Sequence, residues 1–305
     1  MVDLTAVRAR LSGPIGSVRT LFRQDGEIDF DGVRGYVDYL VAAGSRTVLL
    51  TIGDSHLLIL TDDEVAELTR AVVEQTAGRA LVVAADKAWG TLKCVEFARY
   101  ARGIGADVLM VSPPDWGRSG TAETFARHFV EVSRHIPVML VTGAFIPRGE
   151  ATALATLRTT LEQAPGVVAI KDDWCGEFGR RLSLLCHERW AIMAGGQKQN
   201  HLNAWPYGCD GYLSTFITFR PEVAHRYWRA IEANDTAAAR GVIERYDMPL
   251  FDIVMRSPGG FDAGLHGIYE LTGLGRRWRR PPYYSLSDQE LERLGADLRE
   301  KGVLV

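Results

Sequence analysis

Short apolar runs alternate with longer amphipathic stretches along the chain as far as residue 234. Each run is almost continuously apolar, which is typical of parallel strands that are covered on both faces. The pattern therefore predicts buried strands separated by helices. The predicted strands are GSVRTLF (16–22), RTVLLT (46–51), ALVVAAD (80–86), DVLMVSP (107–113), PVMLVT (137–142), VVAIK (167–171), WAIMAG (190–195) and DGYLST (210–215).

The stretches between these runs carry apolar residues at helical spacing. After the first run, Val33, Val37 and Leu40 fall on one face of a predicted helix. After the second run, Thr61 is followed three residues later by Glu64, the signature of a capping box at a helix start. The segments that follow the later runs repeat this amphipathic pattern.

Eight strand-then-helix units in succession favour a closed (β/α)₈ TIM barrel over an open, doubly wound sheet. We expect residues 1–234 to form the barrel. Residues 235–305 lack strand-like runs and predict a C-terminal helical extension of three helices, over 235–255, 261–273 and 287–303. No low-complexity linker separates the two parts, so a single compact subunit is expected.

The composition excludes several classes of function. The chain has 305 residues and a formal net charge of −3, which argues against a nucleic-acid-binding protein. Apolar runs are too short for a membrane span, and the N-terminus shows no secretion signal. Four cysteines without a CxxC pair indicate free thiols in a cytoplasmic protein. The sequence has no clustered His/Asp motif, so no metal site is predicted.

Lys171 ends the sixth predicted strand and is followed by two aspartates. A lysine at a strand end is usually solvated, and that explanation stays open. In a TIM barrel, however, side chains at the carboxyl ends of the strands project into the active-site mouth. Burial there would lower the pKa of the amine and make it a nucleophile that forms a Schiff base with a carbonyl.

The order of these motifs resembles the dihydrodipicolinate synthase / N-acetylneuraminate lyase family of class I, pyruvate-type aldolases. The segment VAIKDD matches the family's Schiff-base strand, with Lys171 as the amine. The segment LTIGDSHLL matches its Gly-Thr-Thr-Gly-Glu turn, while AGGQKQ and DGYLSTF match its later strand ends. The resemblance covers nearly the whole chain and implies a cofactor-free, cytoplasmic homo-oligomer, a tetramer or a dimer.

One departure from the family pattern concerns proton transfer. The family's fifth strand ends in a catalytic tyrosine, and this chain has Val141 at that position. Since neighbouring residues of a strand alternate in direction, Asp172 should face away from Lys171 and Asp173 should return to its side. Asp173 could therefore hold or protonate a substrate group, although a salt bridge to a helix is an alternative.

The candidate site follows from these correspondences. The predicted catalytic residues are Lys171, Thr51 and Asp173. The predicted substrate-binding residues are Thr51, Ile52, Gly53, Asp54, Thr142, Arg148, Gly195 and Leu213.

Other residues near the predicted mouth have competing interpretations. Asp86 could act in the site or cap a helix, and His56 is more simply a solvated loop residue than a proton shuttle. Trp89, Trp116 and Trp174 fall in or beside mouth loops and favour a sugar-acid or aromatic substrate.

The predicted function is a Schiff-base-forming lyase, an aldolase or a dehydratase, that acts on a small 2-oxo acid such as a pyruvate-like compound or a sugar acid. Dihydrodipicolinate synthase activity itself is not expected without the tyrosine. The alternative is a catalytically impaired family member that serves as a 2-oxo-acid-binding or regulatory protein. Nucleic acids and membranes are not expected partners.

Overall fold

A closed barrel of eight parallel strands forms the centre of the computed structural model, which describes residues 3–305. Neighbours in the barrel are neighbours in sequence, and β8 pairs with β1 to close the ring. The predicted (β/α)₈ fold is therefore confirmed. The strands are β1 Gly13–Ser17, β2 Thr47–Leu49, β3 Leu81–Ala85, β4 Val108–Val111, β5 Val138–Val141, β6 Val167–Asp172, β7 Ala191–Ala194 and β8 Gly211–Leu213.

Helices follow the strands around the outside, and further helices lie before and after the barrel. The apolar faces predicted from spacing are buried, and Thr61 and Glu64 form the predicted capping box. The helices are α1 Leu4–Leu11, α2 Phe30–Ala42, α3 Asp62–Thr76, α4 Thr91–Gly103, α5 Ala122–Ser133, α6 Glu150–Gln163, α7 Gly176–Cys186, α8 Lys198–Ala204, α9 Pro221–Glu232, α10 Thr236–Val242, α11 Met248–Val254, α12 Gly260–Leu271 and α13 Asp288–Glu300.

The first strand is the clearest difference between prediction and structure. The pattern predicts 16–22, but β1 covers Gly13–Ser17. Residues beyond Ser17 remain buried because the C-terminal helices cover them, and Arg19 forms an ion pair with Asp262 of α12. In the sequence pattern, a run of residues that another element buries thus cannot be told from a strand. The other strands overlap their predicted ranges.

Helix α1 precedes the first strand and was not indicated by the apolar pattern. It lies at the amino ends of the strands, where the carbonyl of Arg10 accepts a hydrogen bond from Thr47 at the start of β2, at 2.9 Å. Arg8 donates to the carbonyl of Trp190, next to β7, at 2.8 Å. These contacts close the barrel at the amino ends of its strands. The opposite end, at the carboxyl ends of the strands, remains open for a site.

Three helical segments form the predicted C-terminal extension. In the first, a π-helical turn over Ile243–Asp247 joins α10 to α11 without a break. Asp247 in this turn forms an ion pair with Lys198 of α8, and both side chains are 2% exposed. Within residues 3–305, no helix is long and apolar enough to cross a membrane.

Candidate active site

A cavity of about 270 Å³ opens at the carboxyl ends of the barrel strands. Its polar lining comes from the ends of β2, β3, β4 and β6, and its apolar lining includes Val141 and Leu213. This is the end of a TIM barrel where strand ends and loops build active sites. The polar lining residues are Thr51, Asp54, Asp86, Ser112, Lys171 and Asp173.

Lys171 projects from β6 into this cavity and is 6% exposed. Its ammonium group donates a hydrogen bond to the carboxylate of Asp173. On the neighbouring strand Val141 is in register with Lys171 and lines the same cavity, so it presents an apolar side chain beside the amine. The amine is thus nearly enclosed, with a single carboxylate in contact.

Asp172 and Asp173 point in opposite directions, as strand alternation predicts. The carboxylate of Asp172 lies away from the cavity and accepts hydrogen bonds from the hydroxyl of Thr142 at 2.9 Å and from the backbone N–H of Trp174 and Cys175, each at 3.1 Å. Burial raises the pKa of Asp172, although these hydrogen bonds oppose the shift. Asp172 therefore anchors the strand end, and Asp173 alone of the pair faces Lys171.

The turn after β2 supplies another wall of the cavity. The hydroxyl of Thr51 accepts a hydrogen bond from the N–H of Asp54 at 2.9 Å, which fixes the turn. The N–H groups of Ile52 and Gly53 have no acceptor within residues 3–305, although both residues line the cavity. Two such backbone donors can bind a substrate carboxylate.

Asp54 also belongs to this turn, and its carboxylate forms an ion pair with Arg19. Burial alone would raise the pKa of Asp54, but the guanidinium of Arg19, at 3.1 Å, and the charge of Lys171 hold that pKa below its ordinary value. Asp54 is therefore ionised and contributes negative charge beside the amine.

Three predicted substrate-binding residues do not appear in the lining of the cavity. Thr142 is fully buried, and its hydroxyl accepts from the N–H of Asp173 at 2.8 Å while it donates to Asp172. Arg148 forms an ion pair with Asp115 at 3.1 Å and joins two loops. Gly195 donates its N–H to the carbonyl of Asp172 at 2.7 Å. In this structure all three support neighbouring segments, and their contact with a substrate stays a prediction.

The tryptophans predicted at the mouth do not build an aromatic wall in the cavity. Trp89 packs edge-on against Phe97 of α4, with ring centroids 5.0 Å apart. Trp174 stacks on Phe178 of α7 at 4.3 Å. Trp116, in the loop after β4, is 92% exposed. The first two rings pack against neighbouring helices, and none of the three tryptophans lines the cavity.

His56 is buried, which contradicts its interpretation as a solvated loop residue. Its Nε2 lies 3.0 Å from Nε2 of His266 on α12, and the two rings stack with centroids 5.1 Å apart. Burial, together with the positive charges of Arg19 and Arg279, lowers the pKa of His56 to about 4. The sequence could not show this, because α12 is more than two hundred residues away in the chain.

Asp86 and Ser112 belong to the cavity although neither is among the predicted site residues. Ser112 directly follows β4, and its N–H donates to the carboxylate of Asp86 at 3.0 Å. Burial raises the pKa of Asp86 to about 7, and backbone hydrogen bonds oppose the shift. The signal available for both was their position at a strand end.

The sequence matches the model of the Dihydrodipicolinate synthetase family over residues 10–301. The chain belongs to the dihydrodipicolinate synthetase family. Among relatives in this family, "4-hydroxy-tetrahydrodipicolinate synthase 1" of Streptomyces coelicolor is 31% identical over 86% of this chain and 84% of its own. "Probable 5-dehydro-4-deoxyglucarate dehydratase 1" of the same organism is 28% identical over 96% of this chain and 94% of its own.

Solved structures show the same fold. N-acetylneuraminate lyase from Fusobacterium nucleatum superimposes with a TM-score of 0.83 at 14% identity, over 95% of this chain and 99% of its own. Dihydrodipicolinate synthase from Oceanobacillus iheyensis gives 0.81 at 19% identity, over 99% of this chain and 100% of its own. At these identities the superpositions concern the fold, and the chemistry must be argued from the side chains.

Proposed function

We propose that this protein is a Schiff-base-forming lyase that joins Lys171 to the carbonyl carbon of a small 2-oxo acid. The observation that carries the proposal is the Lys171 amine, nearly enclosed in the cavity at the carboxyl ends of the strands and in contact with one carboxylate. An enclosed amine beside a proton acceptor is suited to attack a carbonyl.

Asp173 is the proposed proton-transfer group. It takes the proton from the Lys171 ammonium, so that the neutral amine adds to the carbonyl and water leaves to give the iminium. In cleavage, the C3–C4 bond breaks and its electron pair forms the enamine. In dehydration, a C3 proton leaves to form the enamine, which then expels the protonated C4 hydroxyl group as water. Each branch needs one group that accepts and returns a proton near Lys171.

The turn after β2 is proposed to hold the carboxylate of the 2-oxo acid. The N–H groups of Ile52 and Gly53 line the cavity without an acceptor in the described chain, as a carboxylate site requires. The hydroxyl of Thr51 is held by the N–H of Asp54, and Leu213 closes the apolar side of the same cavity. This turn would therefore set the orientation of the carbonyl toward Lys171.

We further propose that the protein is a divergent member of its family. Val141 beside the amine cannot transfer protons, and Asp173 is a carboxylate in contact with that amine. The names of its relatives include both synthases and dehydratases. Dehydration or carbon–carbon bond chemistry on a 2-oxo acid fits these names, and dihydrodipicolinate synthase activity is not expected. The homo-oligomeric state, a tetramer or a dimer, and a cytoplasmic location stay predictions.

Borohydride reduction in the presence of pyruvate, followed by intact and peptide mass spectrometry, tests the proposal. We expect one stable adduct on Lys171, its loss in Lys171→Ala, and its retention in Lys301→Ala, since Lys301 is an exposed lysine of the C-terminus. An adduct that survives in Lys171→Ala would contradict the assignment.

Val141 also favours a second candidate function, a 2-oxo-acid-binding or regulatory protein that has lost turnover. In that case calorimetry would detect pyruvate or a longer 2-oxo acid bound in the cavity. No tested compound would form a reducible adduct or be turned over. A reducible adduct with turnover of any of these compounds would exclude this candidate.

A further inference from the structure

Three side chains of types that bind transition metals converge between β3, α4 and α5. They are Asp86 directly after β3, Cys94 on α4 and His128 on α5. One potential ligand atom of each lies within 4.8 Å of the other two, and the three residues are 1%, 0% and 5% exposed. The sequence spacing gave no sign of this cluster, because three separate elements supply its members.

Neighbouring groups hold the Asp86 carboxylate and one nitrogen of the His128 imidazole, while the other imidazole nitrogen lacks a partner within the described chain. Oδ1 of Asp86 accepts a hydrogen bond from the N–H of Ser112 at 3.0 Å, and its Oδ2 accepts one from Sγ of Cys94 at 3.6 Å. The backbone N–H groups of Ala88 and Trp89 also act on this carboxylate. Nδ1 of His128 is 3.0 Å from the hydroxyl of Thr91. Nε2 of His128 is buried and has no partner in residues 3–305. Metal-binding imidazoles and carboxylates are commonly oriented in this way by partners behind them.

The charge of the cluster also needs an explanation. Asp86 has no basic side chain within ion-pair distance in the part of the chain that the structure describes. A buried carboxylate is normally paired, protonated or bound to a metal. A protonated Asp86 that exchanges hydrogen bonds with Cys94 would satisfy the carboxyl and the thiol, but it would leave Nε2 of His128 without a partner.

We propose that Asp86, Cys94 and His128 bind a divalent transition-metal ion of the zinc class. Thiolate, imidazole and carboxylate together suit Zn²⁺. For a tetrahedral ion with the usual bond lengths of about 2.3 Å to sulfur and about 2.0 Å to oxygen, the sulfur-to-oxygen edge is about 3.5 Å. The observed separation of 3.6 Å between Sγ of Cys94 and Oδ2 of Asp86 matches that edge.

Binding of the metal ion releases the thiol proton of Cys94. The thiol of Cys94 loses its proton to solvent and the thiolate takes its place on the ion, while Asp86 binds as a carboxylate and His128 as a neutral imidazole. No oxidant or reductant is involved. The fourth position on the ion is left for water.

The ion would lie in the wall of the catalytic cavity, because Asp86 and Ser112 also line that cavity. It would tie the end of β3 to two outer helices and so stiffen one side of the mouth. This role is separate from imine formation at Lys171 and does not depend on it, so borohydride trapping and metal binding can succeed or fail independently.

Metal analysis of protein produced in zinc-supplemented medium tests the proposal. We expect about one equivalent of zinc per chain, and a higher midpoint of thermal unfolding with the metal than after chelation. Replacement by Co²⁺ should give a thiolate-to-cobalt charge-transfer absorption, which reports a Co–S bond directly.

The control comes from a second buried cysteine. Cys186 on α7 is also 0% exposed and belongs to no such cluster in the described residues. Cys94→Ser should lose the charge-transfer band and bind zinc at least about tenfold more weakly, while Cys186→Ser should keep both. His128→Gln should weaken zinc and keep the band at high Co²⁺.

The proposal is overturned if the folded, reduced protein takes up neither Zn²⁺ nor Co²⁺ at one equivalent. It is also overturned if Cys94→Ser and Cys186→Ser bind metal equally well. Because circular dichroism and the unfolding transition of each variant are recorded alongside, loss of metal through loss of the fold is recognised as such.

Discussion

At the level of single residues, the proposed chemistry depends on the contact between Lys171 and Asp173. Strand alternation brings the second aspartate after Lys171, and not the first, to the same side as the amine. Asp54 adds a further negative charge held by Arg19. The amine therefore lies among acidic side chains, one of which is in direct contact with it.

Replacing Asp173 tests its proposed part in proton transfer. In Asp173→Asn the side chain keeps its size but cannot accept a proton, so we expect kcat with the physiological 2-oxo acid to fall about 10²- to 10⁴-fold. Borohydride trapping on Lys171 should persist at longer incubation. The matched control is Asp252→Asn, an exposed carboxylate on α11. Equal turnover in the two variants would remove Asp173 from the mechanism.

Glycine at the end of β7 shows how a neighbouring element positions Asp173. A Cβ built on Gly195 would overlap the Asp173 carboxylate and would lie 2.9 Å from the carbonyl oxygen of Asp172. A side chain there must displace the end of β6. The strand that follows the lysine strand therefore has to carry a residue without a side chain at this point.

We accordingly expect Gly195→Ala to move Asp173 away from Lys171 and to lower kcat at least about tenfold, as a displacement of about 1 Å in a catalytic group commonly does. Gly35→Ala in α2 is the control, because nothing lies within 4 Å of its added Cβ. That variant should keep full activity and gain up to about 1 kcal/mol of stability. Steady-state kinetics and denaturant unfolding separate the two effects, and unchanged kinetics in Gly195→Ala would refute the steric argument.

Buried histidines make the stability of the packed helices depend on pH. Burial lowers the pKa of His56 to about 4 and that of His201, on α8, to about 3. The unfolded chain binds a proton on each near pH 6.5, whereas the folded chain does not. The contribution of these two histidines to the free energy of unfolding should therefore be fully present above pH 6.5 and should decline as the pH falls toward 4.

The slope should approach 1.4 kcal/mol per pH unit for each such histidine, on the order of magnitude given by proton linkage. Urea unfolding at several pH values between 7.5 and 4.5 measures it. His201→Gln should flatten the slope by about one histidine's share, and His135→Gln, at a partly exposed residue just after α5, is the control. A flat profile in the unmodified chain would contradict the argument.

At the scale of the whole molecule, we propose that the barrel of residues 1–234 and the extension of residues 235–305 fold as one unit. The ion pair of Lys198 and Asp247 joins them, with both side chains 2% exposed and the Lys198 ammonium 4.3 Å from the ring centroid of Phe216. Arg19 adds a second connection, from the barrel to Asp262 on α12. The extension thus contacts the charged side of the active site.

Removing one member of the buried Lys198–Asp247 ion pair tests whether the barrel and the extension fold as one unit. In Asp247→Asn the ammonium of Lys198 stays buried without its counter-ion, at a cost of about 3–5 kcal/mol. The double variant Lys198→Met, Asp247→Asn should recover most of that loss, since no charge is then buried unpaired. Secondary structure and tryptophan emission should still unfold in one transition. Two separate transitions, or an undisturbed single variant, would show that the extension is independent.

Much of the architecture was predictable, because parallel strands covered on both faces leave continuous apolar runs in the sequence. The direction of Asp173 was predictable for a similar reason, since it follows from the two-residue period of a strand. The bounds of β1 were not, because residues such as Arg19 are buried by a distant helix. The supporting roles of Thr142, Arg148 and Gly195, and the meeting of Asp86 with Cys94 and His128, depend on contacts between separate elements. Such contacts leave no periodic signal.

The exposed indole of Trp116 has a practical consequence. It is 92% exposed in the loop after β4, next to the Asp115–Arg148 ion pair that joins this loop to the one after β5. An indole in water emits at longer wavelength than one that is shielded, so any molecule or loop that covers it changes the colour of its fluorescence. The difference spectrum between the unmodified chain and Trp116→Phe isolates this one ring from the others. The protein therefore carries its own optical reporter of events at the entrance to the barrel.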